Sequence, residues 1–338
     1  MPRNRKDKAD HWLPPRVYRG RSAYALHPKT GGAIRLCALD ASEADVWLAY
    51  RQVLGVALKK NGSWLAGLYF ESEQFKSDLQ PRTQTDYRAH WKALERVFGK
   101  MLITAIKPHH VREYMDRRGK QSRTMANKEK KTLHLILKFG HERGHVKDNA
   151  CEPVKNFILP PRTRYITDEE YADFYQSAEP MLQVFMEISY VCAARGQDVR
   201  MIKLSDLTEK GLYIKQQKTG KAQVKLYSPR LQAAIDRAKA LRQQRVKGVE
   251  SIYLILSESG KVYSDSGLKS LWRRAVAAYK LRTDKRVTFT FHDLKAKGIS
   301  DFEGNKQNFS GHKSAAMMEK YNRTADETTV IDFKKKEM

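Results

Sequence analysis

Cysteine and long apolar runs are both scarce in this sequence. Its 338 residues include three cysteines, Cys37, Cys151 and Cys192, an odd and scattered set that does not suit a disulfide framework. No group of Cys and His residues has the spacing of a zinc site, and no apolar stretch approaches the roughly 20 residues that a membrane-spanning helix needs. The basic N-terminus lacks the apolar segment of a secretory signal. We therefore expect a reduced, cytoplasmic protein with free thiols and no membrane partner.

Acidic residues are also few relative to basic ones. The chain has 64 Lys and Arg against 38 Asp and Glu, which leaves a net charge of +26. So large an excess indicates a polyanionic partner, and we favour nucleic acid over an anionic membrane surface. The first 22 residues are especially basic, which is typical either of a solvated tail or of an arm along DNA phosphates. The phosphate-contact candidates in this tail are Arg3, Arg5, Lys6, Arg16 and Arg19.

Periodicity and turn residues divide the chain into three predicted domains. Residues 1–55 combine the basic tail with three short strands and a helix, and residues 63–150 have an amphipathic helical pattern throughout. A proline-rich stretch at 151–165 is typical of an extended linker, and residues 166–338 mix helices and strands. The predicted fold class is therefore multidomain, mainly α with β.

Turn and capping residues set the predicted element boundaries within these domains. The predicted strands are Val17–Tyr18, Ala23–Leu26 and Ile34–Leu39, followed by a helix at Ser42–Leu54. The helical domain has predicted helices at Ser63–Phe75, Thr83–Phe98, Pro108–Arg118 and Thr124–Arg143. The last of these carries Lys128, Lys130 and Lys131 opposite its apolar face, and these lysines either face solvent or contact DNA phosphates.

Five polar residues follow one another in a distinctive order in the last third of the chain. The order is Arg195, Lys218, His292, His312 and Tyr321, with the tyrosine nine residues after His312. Breaking and rejoining a DNA strand without a metal needs a nucleophile that can hold phosphate covalently, with cationic and hydrogen-bonding groups around the phosphate oxygens. This set contains both kinds of group, so its joint order indicates such a site.

Each member also has a structural explanation when it is considered alone. Arg195 ends an apolar helical segment and could simply be neutralised by Asp198, since a buried arginine needs a partner. Lys218 lies at a Lys-Thr-Gly turn between two predicted strands, where most lysines are merely exposed. Tyr321 is one of 16 tyrosines, most of which should be core or surface residues. The spacing of the whole set, rather than any single residue, therefore carries the prediction.

Taken together, the motifs resemble those of the tyrosine recombinases, and more narrowly those of the lambda-type phage integrases. That family orders its catalytic residues as Arg, Lys, His-x-x-Arg, His or Trp, and Tyr, and Asp198 matches the acidic residue three positions after the first arginine. The resemblance extends over the whole chain. It includes Gln217-Lys218-Thr219-Gly220 and Gly311-His312-Lys313-Ser314 near the C-terminus, and Leu13-Pro14-Pro15 and Pro28-Lys29-Thr30-Gly31 near the N-terminus.

One position departs from the family pattern. The second arginine of His-x-x-Arg is Lys295 here, three residues after His292 on the same predicted helix face. Lysine keeps the positive charge but lacks the planar fork that can bind two phosphate oxygens at once. Lys297 lies on a different face of the helix and is a poor substitute. We expect Lys295 to act as a point-charge phosphate ligand, a change that would affect the rate more than the activity.

The resemblance implies a role for each residue of the site. Tyr321 would attack the scissile phosphate, forming a 3′-phosphotyrosyl bond and releasing a 5′-hydroxyl, and His292 would accept its proton. Cationic side chains would do the work of a metal ion, and the phosphotyrosyl bond would conserve the phosphodiester energy, so no metal, ATP or other cofactor is expected. The other implied roles are phosphate binding by Arg195, Lys295 and His312, protonation of the leaving 5′-oxygen by Lys218, and positioning of Arg195 or His292 by Asp198.

The resemblance also implies partners and a location. Residues 1–55 would bind arm-type DNA sites, while the helical core-binding domain and the catalytic domain would clamp a core site, and four copies would act on two duplexes as a homotetramer. Because contact with two distant sites requires bent DNA, an accessory DNA-bending protein is expected, and an excisionase is a further candidate partner. The protein would act in the cytoplasm of a bacterial host, at the nucleoid. The C-terminal tail has strand character at Thr328–Phe333 and would either pack on a neighbouring subunit, regulating cleavage, or fray.

Three alternatives stay open at this point. A type IB topoisomerase shares the chemistry but relaxes DNA without exchanging partners, and the arm-like N-terminus argues against it. A catalytically weakened or inactive relative would bind DNA without a covalent adduct, and Lys295 is the feature that favours it. A resolvase of chromosome dimers would generally lack the N-terminal arm domain.

Overall fold

The structure is a computed structural model that describes residues 8–28, 31–54, 60–245 and 251–324. The chain divides into two units, Met1–Leu159 and Pro160–Met338, and apolar cores form within each of them. The boundary falls in the proline-rich stretch that the sequence predicts as a linker. In the described part of the chain, no helix combines the length and the apolar character required to span a membrane.

After a short 3₁₀ helix (Lys8–Asp10), the described part of the first unit forms a three-stranded antiparallel sheet. Its strands are β1 (Val17–Arg19), β2 (Ala23–Leu26) and β3 (Ile34–Ala38), in the order β1-β2-β3. Helix α1 (Glu43–Val53) follows, and Ser42 opens it with a capping box in which Asp45 returns the hydrogen bond. Val17 and Val46 are fully buried, so the sheet and the helix share one small apolar core.

The next helical segment departs from the prediction. Helices α2 (Gly62–Glu71) and α3 (Glu73–Lys76) replace the single helix predicted at Ser63–Phe75. Ser72 interrupts them with extended backbone, and its side chain caps the first turn of α3. Helix α4 (Pro81–Phe98) then begins at a proline, a residue suited to the first turn because it has no N–H to leave unpaired.

The last two predicted helices follow one another across a kink. Element α5 spans Pro108–Glu142, and the predicted helices were Pro108–Arg118 and Thr124–Arg143. The residue with non-helical backbone is Ser122, with φ −162° and ψ 104°, and it lies in the predicted gap between the two helices. Gly119 instead permits a close approach, because a Cβ at this position would lie 2.6 Å from the ring of Phe157. A contact with a distant residue therefore explains this glycine.

A buried polar cluster joins the two parts of α5 across the kink. Glu129 is 1% exposed and accepts a hydrogen bond from the Tyr114 hydroxyl at 2.7 Å. The Arg118 guanidinium donates to both Glu129 oxygens, with Nε 2.9 Å from Oε2. Because both oxygens have partners, the carboxylate is buried without an unsatisfied atom. The surrounding core includes Leu65, Phe75, Leu94, Phe98, Met115, Leu133 and Ile136.

The second unit is mainly helical with one β-hairpin. Its helices are α6 (Asp168–Gln176), α7 (Pro180–Val191), α8 (Gly196–Arg200), α9 (Pro229–Arg245), α10 (Asp265–Thr283), α11 (Asp293–Asp301), α12 (Lys306–Ser310) and α13 (Ala315–Glu319). The hairpin pairs β4 (Gly211–Lys215) with β5 (Ala222–Leu226) in antiparallel register. Its core draws Phe174, Phe185, Leu212, Ile235 and Leu294 from different elements. The prediction of a multidomain, mainly α fold with small β-sheets is confirmed.

Some finer predictions about the ends of the chain stay predictions. Two separate apolar cores lie in the first unit, one around the sheet and one among α2 to α5. The assignment of these parts as arm-type and core-type domains, at 1–55 and 63–150, stays a prediction. The strand-like tail at Thr328–Phe333 and the predicted phosphate contacts Arg3, Arg5 and Lys6 lie outside the described residues.

Candidate active site

Arg195 stands where the chain leaves an apolar helix. The backbone turns after α7 through Ala193, at φ 48°, and Arg195 then caps α8 in an extended conformation. Its Nη1 donates to Oε1 of Gln216 at 3.0 Å and lies 3.9 Å from Oδ2 of Asp198. Asp198 is buried, and its Oδ1 accepts a hydrogen bond from the Gln217 N–H at 2.8 Å. Asp198 therefore contacts both the arginine and the turn between β4 and β5.

Gln216 joins the arginine to two other segments of the site. This side chain is 6% exposed, and its Oε1 accepts hydrogen bonds from Arg195 and from Oγ1 of Thr219 at 2.9 Å. Its Nε2 donates to the carbonyl oxygen of Ser310 at 3.1 Å. These contacts hold the turn that carries Lys218, whose own side chain is exposed. Among the described residues, no hydrogen bond or ion pair holds the Lys218 ammonium.

Lys295 is enclosed within the unit. It is 1% exposed, and its Nζ lies 3.5 Å from the carbonyl oxygen of Ser310 and 5.9 Å from the ring centroid of Tyr321. Burial, followed by the positive charge of Arg195, lowers the pKa of this ammonium to about 7, while Asp198 acts in the opposite direction. The sequence contains no signal of this enclosure, since a lysine is normally exposed.

Lys297, the other lysine of α11, has partners of its own. Its Nζ lies 2.6 Å from a carboxylate oxygen of Asp168 and 2.9 Å from one of Asp301, and it contacts the Tyr165 hydroxyl at 3.3 Å. Burial opposes its charge, but these acidic partners raise the pKa of Lys297 above its usual value. Its charge is thus neutralised locally, which leaves Lys295 as the α11 lysine that faces the predicted site.

Tyr321 lies between two histidines. Its hydroxyl is 3.2 Å from Nε2 of His292, and its ring stacks on His312 with centroids 4.8 Å apart and planes 28° apart. Loss of hydration, followed by the positive charge of Arg195, lowers the pKa of His292. A neutral imidazole at this distance can accept the phenolic proton, which is the role that the sequence resemblance implies.

His312 has one nitrogen occupied and one without a partner. The side chain is 5% exposed, and its Nδ1 lies 2.7 Å from Oγ of Ser310. Its Nε2 is buried and has no hydrogen-bond partner among the described residues. Burial, followed by the positive charges of Lys295 and Arg195, lowers the pKa of His312 to about 4, so the ring is neutral at pH 7. Because an unpaired buried nitrogen is unfavourable, Nε2 is suited to a ligand atom.

A buried ion pair holds the chain just after the tyrosine. Arg323 and Asp293 have side chains 5% and 2% exposed, and Nη2 of the arginine lies 2.8 Å from Oδ1 of the aspartate. The Arg323 N–H donates to Oγ of Ser300 at 2.8 Å, and this hydroxyl donates to the carbonyl oxygen of Tyr321 at 3.3 Å. These bonds tie the backbone of the tyrosine to α11.

Three residues of this network were absent from the sequence prediction. They are Gln216, Ser310 and Arg323. The available signals were weak: Gln216 and Ser310 adjoin predicted motifs, and Arg323 is a charged residue two positions after the tyrosine. Their contacts reach across as many as 159 residues of sequence, and no local pattern encodes such contacts.

The electrostatics of the site favour an anionic ligand. The buried or half-buried cations Arg195 and Lys295 face one carboxylate, that of Asp198, at ion-pair distance from the arginine. The unpaired Nε2 of His312 adds a polar atom that needs an acceptor or a donor. A phosphate diester, with one negative charge and several acceptor oxygens, satisfies both requirements. Within the described ranges, no group of three or more His, Cys, Asp or Glu side chains is placed to hold a metal ion.

The predicted phosphate contacts in the first unit differ in their exposure. The exposed ones among the described residues are Arg16, Arg19, Lys128 and Lys131. Lys130 differs, because its ammonium donates to the carbonyl oxygen of Val154 and lies 3.2 Å from Oδ1 of Asn156. Burial lowers the pKa of Lys130. This lysine fastens the segment after α5, a structural use that competes with the predicted contact to DNA.

Comparisons with known proteins identify relatives over most of the chain. Residues 164–328 match the phage integrase family. The integrase of Escherichia phage HK022 is 25% identical over 339 residues, which cover 91% of this chain and 93% of that protein. The integrase of Escherichia phage lambda is 24% identical over 346 residues, with the same two coverages.

Solved structures share the fold. A lambda integrase dimer bound to a COC′ core site has a TM-score of 0.65 and 22% identity, covering 98% of this chain and 100% of that chain. A lambda integrase tetramer bound to a Holliday junction has a TM-score of 0.66 and 20% identity, and the match covers 97% of this chain and 99% of that chain. The fold and the family match define a tyrosine-type site-specific recombinase. Residues 164–328 form a phage integrase family domain, and the two phage integrases align over 91% of the chain.

Proposed function

We propose that this protein integrates and excises a DNA element by cleaving and rejoining DNA through a 3′-phosphotyrosyl bond on Tyr321. The observation that carries the proposal is the position of the Tyr321 hydroxyl, 3.2 Å from Nε2 of His292, beside the buried cation Lys295 and the unpaired nitrogen of His312. A phenol has an ordinary pKa near 10 and needs a base or nearby positive charge to attack phosphorus at neutral pH. This site contains a base, His292, and a nearby positive charge, Lys295.

His292 would act as the general base. Its lowered pKa keeps the imidazole neutral at pH 7, so that Nε2 can accept the phenolic proton as the tyrosine oxygen bonds to phosphorus. The P–O bond to the 5′-oxygen of the neighbouring nucleotide breaks in the same step. The product is a 3′-phosphotyrosyl bond and a free 5′-hydroxyl, and the reverse reaction with a second strand completes the exchange.

Arg195, Lys295 and His312 would bind the nonbridging oxygens of the scissile phosphate. Charge develops on these oxygens as phosphorus becomes five-coordinate, and donors fixed in advance stabilise that state without reorganising. Removal of one such donor from an enzyme site typically lowers the rate by about 10² to 10³. Lys295 offers a single charged group where an arginine would offer a fork, and its pKa of about 7 makes its charge sensitive to pH.

Lys218 and Asp198 would complete the machinery. Lys218 is exposed on the turn between β4 and β5, and a bound DNA strand would bring the leaving 5′-oxygen within reach of its ammonium for protonation. Asp198 would hold Arg195 in place, as supported by its 3.9 Å approach to Nη1 and its bond to the turn. Through that bond, Asp198 couples the position of the first cation to the segment that carries the proton donor.

Recombination needs two duplexes, and we propose that the protein acts as a homotetramer on DNA. Structures of lambda integrase as a dimer on a core site and as a tetramer on a Holliday junction support this assembly. Residues 1–55 would bind arm-type sites, residues 63–150 core-type sites, and residues 166–338 would cleave. The exposed Arg16, Arg19, Lys128 and Lys131 would contact phosphates, and the net charge of +26 makes strongly salt-dependent binding expected. An accessory bending protein and an excisionase are further proposed partners.

Covalent trapping would test the function. Wild-type protein and Tyr321→Phe would each be mixed with a duplex taken from the flanks of the gene's own element, nicked beside the expected cleavage point. Tyr213→Phe makes the same change on β4 in the second unit and serves as the matched control. We expect a denaturant-resistant, protease-sensitive DNA adduct with wild type and with the control variant, and none with Tyr321→Phe.

Two other outcomes would redirect the assignment. Tight, salt-dependent binding without any adduct would favour a binding-only relative, and Lys295→Arg would then be the variant to test for restored cleavage. Relaxation of supercoiled DNA that lacks any specific site would favour a topoisomerase instead. An adduct that persists in Tyr321→Phe would remove this tyrosine as the nucleophile.

A further inference from the structure

The last residue of α12 contacts a proposed phosphate ligand through its hydroxyl group. Ser310 is 1% exposed, and its Oγ lies 2.7 Å from Nδ1 of His312 and 3.4 Å from the carbonyl oxygen of Gln307. Gly311, between the serine and the histidine, has φ 68°, which bends the backbone so that the two side chains meet. The short contact is therefore a product of the local fold.

The hydroxyl has one proton, and it can point in two directions. If it points to His312, Nδ1 accepts the bond and the ring proton resides on Nε2. If it points to Gln307, Nδ1 must hold the ring proton and donate it to Oγ, which leaves a bare lone pair on Nε2. The distances favour the first arrangement, because 2.7 Å is a typical O–H donor distance and 3.4 Å is long for one.

We propose that Ser310 is a positioning residue that holds His312 in the Nε2–H tautomer, so that this buried nitrogen donates to a nonbridging oxygen of the scissile phosphate. The inference rests on the proposed function for its consequence in catalysis, but the tautomer itself is a property of the DNA-free protein. Ser310 acts through His312 and does not touch the phosphate.

The tautomer matters because His312 cannot rely on a positive charge. Burial and two neighbouring cations keep the ring neutral at pH 7, so it does not have a proton on both nitrogens. In the wrong tautomer, Nε2 would aim a lone pair at an anionic oxygen, which is repulsive. In the right one, the same nitrogen is a fixed donor in a water-poor site, where such donors are most effective.

The serine hydroxyl can be removed without changing the main-chain contacts of Ser310, although its 3.4 Å contact with the Gln307 carbonyl oxygen is also lost. The Ser310 carbonyl oxygen accepts from Gln216 at 3.1 Å and lies 3.5 Å from the Lys295 ammonium, and both contacts use the main chain. Ser310→Ala therefore removes the hydroxyl and keeps the carbonyl. Ser189, which is fully buried in α7, offers a matched control, since Ser189→Ala removes a buried hydroxyl that has no hydrogen-bond partner among the described residues.

Nitrogen NMR of the full chain would decide the tautomer. Protein labelled with ¹⁵N-histidine would be compared with Ser310→Ala and Ser189→Ala, and the His312 signals would be assigned with His312→Asn. In wild type we expect a pyrrole-type Nε2 signal and a pyridine-type Nδ1 signal. In Ser310→Ala the two signals should move toward each other as the tautomers mix, and in Ser189→Ala they should not move.

Single-turnover cleavage of the nicked duplex supplies the second measurement. Partners that orient a metal-ligating histidine typically change activity by about 10- to 100-fold, and we expect Ser310→Ala to slow adduct formation by a similar factor. DNA affinity should stay within about twofold, since the phosphate backbone contacts that dominate affinity are untouched. Ser310→Cys, with a weaker donor of similar length, should fall between wild type and alanine in both measurements.

Two results would overturn the inference. One is a wild-type spectrum with the proton on Nδ1, and the other is a Ser310→Ala protein that keeps the wild-type tautomer and cleavage rate. Failure of the proposed function would look different, because either wild type would form no adduct or Tyr321→Phe would form one, while the histidine spectrum still reported the tautomer. If Ser310→Ala does not fold, the wild-type and Ser310→Cys spectra decide the same question.

Discussion

Replacement of Lys295 by methionine should stabilise the second unit and slow cleavage by about 10²- to 10³-fold. Lys295 is 1% exposed and lies near the positive charges of Arg195 and Lys225, with Asp198 as the facing carboxylate. Methionine has a similar length, removes the charge and can occupy the same buried space. The variant therefore separates what the ammonium does for the fold from what it does for the phosphate.

The pH dependence of the effect follows from the pKa of this lysine. The pKa of Lys295 is about 7 in the folded protein, against 10.5 for the free side chain. This difference corresponds to at most about 5 kcal/mol of destabilisation of the fold when the lysine is protonated in both the folded and the unfolded protein. The folded pKa is depressed, so the destabilisation is complete below pH 7 and is relieved as the pH rises from 7 toward 10.5. At pH 9 about 2 kcal/mol should be left. The unfolding free energy of Lys295→Met should therefore exceed that of wild type by more at pH 6 than at pH 9.

Unfolding in urea at the two pH values would measure this difference. Trp272 is the tryptophan of the second unit, so ¹⁹F NMR of fluorotryptophan-labelled protein would follow that unit apart from the first. Lys210→Met, at an exposed position of the same unit, should show little change at either pH. The reasoning fails if Lys295→Met is destabilised at pH 6, or if its effect is equal at pH 6 and pH 9.

Two further predictions concern the turn between β4 and β5. Lys218→Met should slow adduct formation on ordinary DNA but not on DNA with a sulfur in place of the scissile 5′-oxygen, because a thiolate leaves without needing a proton. An equal defect on both substrates would show that Lys218 is not the proton donor. Gln216→Ala should lower the unfolding free energy by about 1–3 kcal/mol, because Arg195 and the Ser310 carbonyl lose a partner. It should also slow cleavage, and urea unfolding with single-turnover kinetics would check both, with Gln217→Ala on the exposed neighbour as the control.

Local signals in the sequence were sufficient to predict most of the helices and strands. Ser42 and Thr167 cap α1 and α6 through capping boxes, and a capping box is encoded within four consecutive residues. Boundaries shifted where a distant contact outweighs the local pattern. The kink of α5 lies at Ser122, within the predicted gap between two helices, whereas Gly119 at the start of that gap stays helical and gives room to Phe157, far along the chain.

The candidate site shows the same division between local and distant information. The order of Arg195, His292, His312 and Tyr321 singled out residues that the fold does bring together, while their roles stay predictions until tested. Burial of Lys295 could not be predicted, since it depends on how α11 packs against segments far away in sequence. Gln216 and Ser310 were missed for the same reason, because their partners are identified only when the hairpin and α12 meet.

The positive charge of the site explains why so many of its side chains are held by neutral partners. Two cations near one another repel, and a carboxylate on each would stabilise the empty site but would also compete with phosphate. Gln216 holds Arg195, and the Ser310 carbonyl lies 3.5 Å from Lys295, without adding negative charge. The cations therefore keep much of their attraction for an anion. A phosphate that enters would supply the missing negative charge, so the same repulsion that destabilises the empty site would favour binding and, still more, the charge that develops as the strand is cleaved.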